Sequence, residues 1–153
     1  MGRMMWLKLG VMTVLGFVAM YFLMYSMVNS YNDFYLSVNQ IWMAGSMAAA
    51  MVAIELLVMG EMYKNRALRI VLIGFSILVT AAFVLFTRYQ TAIDNKDFLR
   101  SMIPHHSGAI LMCANPKITD PEIVTLCGQI KKSQQEEIDQ MKRISVRLSR
   151  GGQ

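Results

Sequence analysis

The sequence predicts an all-α protein, with three transmembrane helices followed by a helical hairpin outside the cytoplasm. Burial then predicts that two hairpins complete a four-helix bundle by dimerisation. Three observations carry this. The apolar residues are gathered in three long runs before residue 90, and most charges lie after it. Beyond residue 97, apolar residues recur at helical spacing, with proline and capping residues at the breaks.

The first run, Leu7–Val28, carries one charge, Lys8. The second, Ile41–Met62, carries only Glu55 and Glu61, and the third, Ile70–Thr87, carries none. Each is close to the ~20 residues that a helix needs to cross roughly 30 Å of hydrocarbon. The first is too long for a signal-peptide core of about 7–15 residues, and Met-Tyr-Phe-Leu-Met-Tyr stands where a small-residue cleavage site belongs. The membrane domain is therefore 1–89, with spans at about 7–28, 41–62 and 70–87, and the domain after it is 90–153.

Orientation follows from Lys and Arg in the short flanks. Arg3 and Lys8 precede the first run, Asn29–Gln40 has neither residue, and the second loop holds Lys64, Arg66 and Arg69. This pattern puts the N-terminus inside, the first loop outside, the second inside, and everything from about Arg88 outside. Arg88 itself is a contrary charge. The net charge of +5 includes five such flank residues. After them, ten basic and seven acidic residues mix along the tail without a patch, so the charge is no nucleic-acid footprint.

Gln90–Lys96 reads as a joint. A helix over Asp97–Cys113 follows, with Phe98, Met102, His106 and Ala109 on one face and Pro104 in its early turns. Asn115-Pro116 ends it. Asp120 is an N-cap, Pro121 suits the first helical position, and Glu122 suits the helix dipole. Ile123, Leu126, Cys127, Ile130, Gln134, Ile138 and Met141 mark one face of a helix running to about Leu148. Two helices cannot enclose a core, so a second copy is the expected partner.

The hairpin carries a candidate soft-metal set. Met102 stands three residues before His105 and four before His106, with Met112 and Cys113 further along. Cys127, Gln134 and Met141 recur at sevens on the second helix. Imidazole, thioether and thiolate together favour Cu(I) or its analogue Ag(I). The plain reading is that the methionines fill a core and the histidines cap or hydrogen-bond. Adjacent histidines point about 100° apart, which weakens the metal signal. Cys113 and Cys127 have two readings as well. They are thiolate ligands, or they form a disulfide stapling the hairpin, which removes both from the ligand set.

The segment Asp97, Phe98, Met102-Ile103-Pro104-His105-His106-Ser107-Gly108-Ala109, followed by Asp120-Pro121-Glu122-Ile123, Leu126, Ile130, Gln134, Glu137-Ile138 and Met141, resembles the bacterial family known as domain of unknown function 305. The resemblance covers roughly residues 90–148, and the three-run front looks like the membrane-anchored branch of that family. It implies a ferritin-like bundle facing outward from a bacterial inner membrane. Some relatives are associated with copper or silver binding. Carried over, it makes Met102, His105, His106 and Met141 candidate ligands, with Asp97 and Gln134 as supporting polar positions. Family members often carry other side chains where Cys113 and Cys127 stand. A di-iron carboxylate enzyme is not expected, because neither histidine has a Glu three residues before it and no glutamate lies between Glu61 and Glu122.

Met43, Met47, Met51, Glu55 and Met59 are spaced by four in the second run, and Met20, Met24 and Met27 cluster in the first. They read as adaptable packing beside Gly45, Ser46 and Ala48–Ala50, or as a thioether path for Cu(I) with Glu55 as a polar station. No Ser/His/Asp set, phosphate loop or carboxylate pair points to an enzyme. The expected function is copper or silver binding outside the cytoplasm through the His-Met cluster, with a metal ion, the lipid bilayer and a second copy as partners. The alternative is a membrane-tethered interaction module without metal.

Overall fold

The computed structural model describes residues 2–150, with side chains from Met4 onward. Its regular elements are all helical: α1 (Gly2–Leu23), α2 (Val38–Val58), α3 (Arg66–Arg88), α4 (Asn95–Met112) and α5 (Pro121–Arg150), with short 3-10 turns between the first three. Three stretches, Met4–Met27, Val38–Val58 and Arg66–Arg88, are long and apolar enough to cross a membrane. The second starts three residues before the expected Ile41 and stops four before Met62, because the chain tightens into a 3-10 turn at Gly60–Met62. The third starts earlier than Ile70, since Asn65 caps it by accepting from Leu68 N at 3.0 Å.

The chain forms two compact units. One holds the chain up to Met24 together with Asn39–Thr91. The other holds Tyr25–Val38 and the chain from Ala92 on. The first loop thus shares a compact unit with the hairpin.

In the first unit, Leu9, Leu56 and Tyr63 form a buried cluster, with Trp6 and Leu72 packed against it. The Trp6 and Tyr63 rings are 4.8 Å apart. Tyr63 donates its hydroxyl to Glu55 Oε1 at 2.7 Å, so the acidic residue of the second span has a partner. Burial and the Glu55 carboxylate push the Tyr63 phenol up to about 12. Gly45 is needed for the approach of Phe83, whose ring would stand 2.9 Å from a Cβ there. Past α3, Gln90 (φ 51°) and Ala92 (φ 59°) take left-handed backbone, which turns the chain without glycine.

In the second unit, α4 and α5 form an antiparallel hairpin. Helix α4 begins at Asn95 rather than Asp97, because Asp94 Oδ1 accepts from Asp97 N at 2.8 Å. That bond holds the Asp94 carboxyl below its usual range. Pro104 therefore lies well inside the helix and is buried, so the carbonyl of Arg100 loses its helical donor there. Helix α5 starts as expected, with Asp120 Oδ1 accepting from Glu122 N at 3.0 Å and Ile123 N at 3.1 Å.

Leu99, Ile103, Ile138 and Met141 make the hairpin core, with Met102, Ile110, Ile144, Leu148 and Tyr35 packed on it. The inward face of α4 is thus rotated from the expected one: Leu99, Ile103, His106 and Ser107 turn in, while Phe98 is 51% exposed. On α5, Cys127, Ile138 and Met141 are buried, but Ile123 and Leu126 remain about half exposed. Tyr35 shows that part of the cover for this hairpin comes from the same chain.

Candidate functional site

Two polar constellations stand on the hairpin. The first is built on His106. Its Nδ1 lies 2.9 Å from the Met102 carbonyl one turn earlier, and its Nε2 lies 2.7 Å from Glu137 Oε2 on α5. A carbonyl only accepts, so Nδ1 carries the hydrogen and Nε2 is the nitrogen that faces the carboxylate. The imidazole is 10% exposed and the Glu137 side chain 50%, so the pair opens to water on the Glu137 side.

Helical register places the methionines beside this pair. Met102 is one turn before His106, and Met141 is one turn after Glu137. In an antiparallel hairpin these steps run the same way, and both side chains belong to one apolar cluster. His106, Met102 and Met141 are thus brought to adjacent layers.

The other expected ligands are placed differently. His105 is exposed, its ring edge-on to His106 with centroids 5.9 Å apart. Met112 is 61% exposed near the end of α4. Cys113 and Cys127 are joined in a disulfide, Cα to Cα 5.1 Å, which staples the closed end of the hairpin. Neither sulfur is a thiolate in this form. Asp97 lies 3.9 Å from Arg100, and Gln134 is half-buried on α5. Among the described residues there is no group of three or more His, Cys, Asp or Glu side chains placed to hold a metal ion.

The second constellation was not foreseen. Asp33, in the 3-10 turn Tyr31–Asp33, is buried. Its Oδ2 accepts from Ser107 Oγ at 2.7 Å, and Lys142 Nζ lies 2.6 Å from its Oδ1. Ser107, fully buried, also accepts from Asn29 N at 3.0 Å. Within the same loop, Tyr25 OH accepts from Ser37 N at 3.1 Å, and Ser30 Oγ caps the turn. One sequence signal pointed here: Asp33 is the lone charge between Lys8 and Glu55.

In the first unit, Met43, Met47, Met51 and Met59 are each about 40% exposed or more. The buried residues of α2 are Ala44, Gly45, Ala48, Ala53 and Leu56. The methionines are therefore not the packing face of α2 within this chain.

Residues 85–145, which hold α4 and most of α5, match the family described as domain of unknown function (DUF305). The chain belongs to that family. It is also similar to uncharacterized protein L153 of Acanthamoeba polyphaga mimivirus, 34% identical over 137 residues that cover 87% of this chain and 88% of the relative. A span of that length takes in most of the helical front. No solved structure matches.

Proposed function

We propose that this is a membrane-anchored protein whose hairpin reversibly binds a soft monovalent cation, Cu(I) or Ag(I), with His106, Met102 and Met141 as donors. The observation that carries the reading is the fixed imidazole: with Nδ1 tied to the Met102 carbonyl, Nε2 is the nitrogen left to bind a cation. Glu137 lies 2.7 Å from that nitrogen, so an arriving metal ion displaces any proton held between them. His105, exposed one residue away, is suited to first capture, and the disulfide keeps the cysteines out of the donor set.

The anchoring reading has its own support. Three crossings leave the first loop and the tail on one side of a membrane, and Tyr25–Val38 and the chain from Ala92 on share one compact unit. The Lys and Arg of the flanks favour the outward side for that unit.

The test is anaerobic titration of the full chain in detergent with Cu(I) against a competing chelator, with pH monitored in weak buffer. Wild type is expected to bind stoichiometrically with its disulfide intact and to release a proton as it does so. His106→Ala is expected to lose the binding, and Met102→Leu to weaken it. Binding unchanged in His106→Ala, with helix content retained, would reject the site. A metal-free interaction module then becomes the better reading, favoured by the exposed Phe98, Ile123 and Leu126.

A further inference from the structure

The turn between α2 and α3 holds an open cleft of about 540 Å³. Leu57, Val58 and Met62 line its apolar side, and Arg69 brings a guanidinium into it. Arg69 stands in the first turn of α3 and is half-buried. Among the described residues the ion pairs are Arg100 with Asp97, His106 with Glu137 and Lys142 with Asp33, so this cation is in none of them. Glu61 lines the same cleft and is exposed, yet it makes no ion pair with Arg69.

Gly60 explains how the guanidinium is held there. A Cβ on Gly60 would collide with Arg69 Nη1 and stand 3.0 Å from its Cζ. The absent side chain is the seat on which the planar cation lies. The cleft also joins the ends of two helices apolar enough to span a membrane, so it falls where hydrocarbon gives way to headgroups. An unpaired guanidinium beside exposed Leu57 and Val58 matches a molecule with a phosphate attached to acyl chains.

We infer that Gly60 and Arg69 form a binding site for the phosphate of an anionic phospholipid headgroup, with Leu57, Val58 and Met62 against its glycerol and upper acyl carbons. This rests on α2 and α3 being membrane spans and is independent of the metal reading. An anionic lipid outranks a zwitterionic one because Lys64, exposed in the same turn, adds a positive charge there.

The experiment is native mass spectrometry of the full chain in detergent, with phosphatidylglycerol or phosphatidylcholine added, or inorganic phosphate as competitor. One phosphatidylglycerol is expected to be retained in preference to phosphatidylcholine. Arg69→Gln is expected to lower that retention several-fold. Gly60→Ala is expected to do the same without changing net charge, since it moves the tip of a flexible side chain and leaves the helices folded. Arg66→Gln, which removes equal charge outside the cleft, is expected to leave retention as in wild type. Equal losses in Arg66→Gln and Arg69→Gln, or no loss in Gly60→Ala, would overturn the site in favour of general attraction. Displacement of the lipid by millimolar inorganic phosphate would overturn the lipid as its occupant.

Discussion

Lys142 and Asp33, 109 residues apart in the chain, meet at 2.6 Å. The carboxylate is 7% exposed and the ammonium 31%, and the remaining carboxylate oxygen takes the Ser107 hydroxyl. This contact binds the first loop to both helices of the hairpin.

Removing the carboxylate leaves two donors without their acceptor. Asp33→Ala is expected to destabilise the hairpin unit by about 2–4 kcal/mol, below the full cost of breaking a buried pair because Lys142 keeps some water. Ser107→Ala should cost less, about 1 kcal/mol, since the ion pair survives. Thermal melts of the two variants give the order, and limited proteolysis should find Asn29–Leu36 cut first in Asp33→Ala. Equal melts would mean that the loop is not held by Asp33.

The disulfide closes a sequence separation of 14. Loop-closure entropy gives about 3 kcal/mol for a loop of that length. Reduction, or Cys113→Ser with Cys127→Ser, is therefore expected to lower the melting temperature of the hairpin while leaving its helix content intact at room temperature. Metal binding by the doubly substituted chain should match that of the oxidised wild type, because the proposed donors contain no thiolate.

Acid should loosen the start of α4. The Asp94 carboxyl is lowered mainly by the Asp97 backbone bond, so its contribution is present above the ordinary carboxylate pKa and is lost as pH falls through the lowered value. The Asp97 amide shift, followed by NMR from neutral pH into acid, should report that step. Asp94→Asn retains a cap and should show no such transition. A step of the same size in both would assign it to another group.

Tyr63 titrates in the opposite sense. A phenol raised to about 12 stabilises the folded state fully below pH ~10 and loses that contribution as pH climbs through 12. Ultraviolet titration of the full chain should show a tyrosine step near pH 12, and Tyr63→Phe should delete it. Tyr63→Phe also takes the donor from Glu55, so a small loss of stability is expected with it.

The helices and the loop differ in how far sequence exposes them. A transmembrane run is legible because it is long and nearly uncharged, and the start of α5 because Asp120-Pro121-Glu122 are adjacent in sequence. The start of α4 was misplaced by two residues because two aspartates, Asp94 and Asp97, both suit a cap, and only the backbone decides which one turns back. Its buried face was misplaced because Phe98 and Leu99 are both apolar neighbours, and only contact with α5 selects Leu99. His106 was legible as a polar residue on a helical stripe, but its partner Glu137 stands on the other helix with no local pattern to pair the two. The Asp33 contacts have no local pattern at all: Asp33, Ser107 and Lys142 lie on three segments and meet only in the fold.

The split arrangement of the second unit also sets an order of assembly. A ribosome delivers Tyr25–Val38 first and then makes α2 and α3 before Ser107 and Lys142 exist. Until then Asp33 has neither of its side-chain partners, and the loop is an unfinished half of a domain. If only one of α2 and α3 inserted in a bilayer, the loop and the hairpin would be stranded on its opposite faces. For a chain that spans a membrane, the contact between Asp33 and Lys142 is therefore also a parity check: it is lost whenever one of the two later spans crosses without the other.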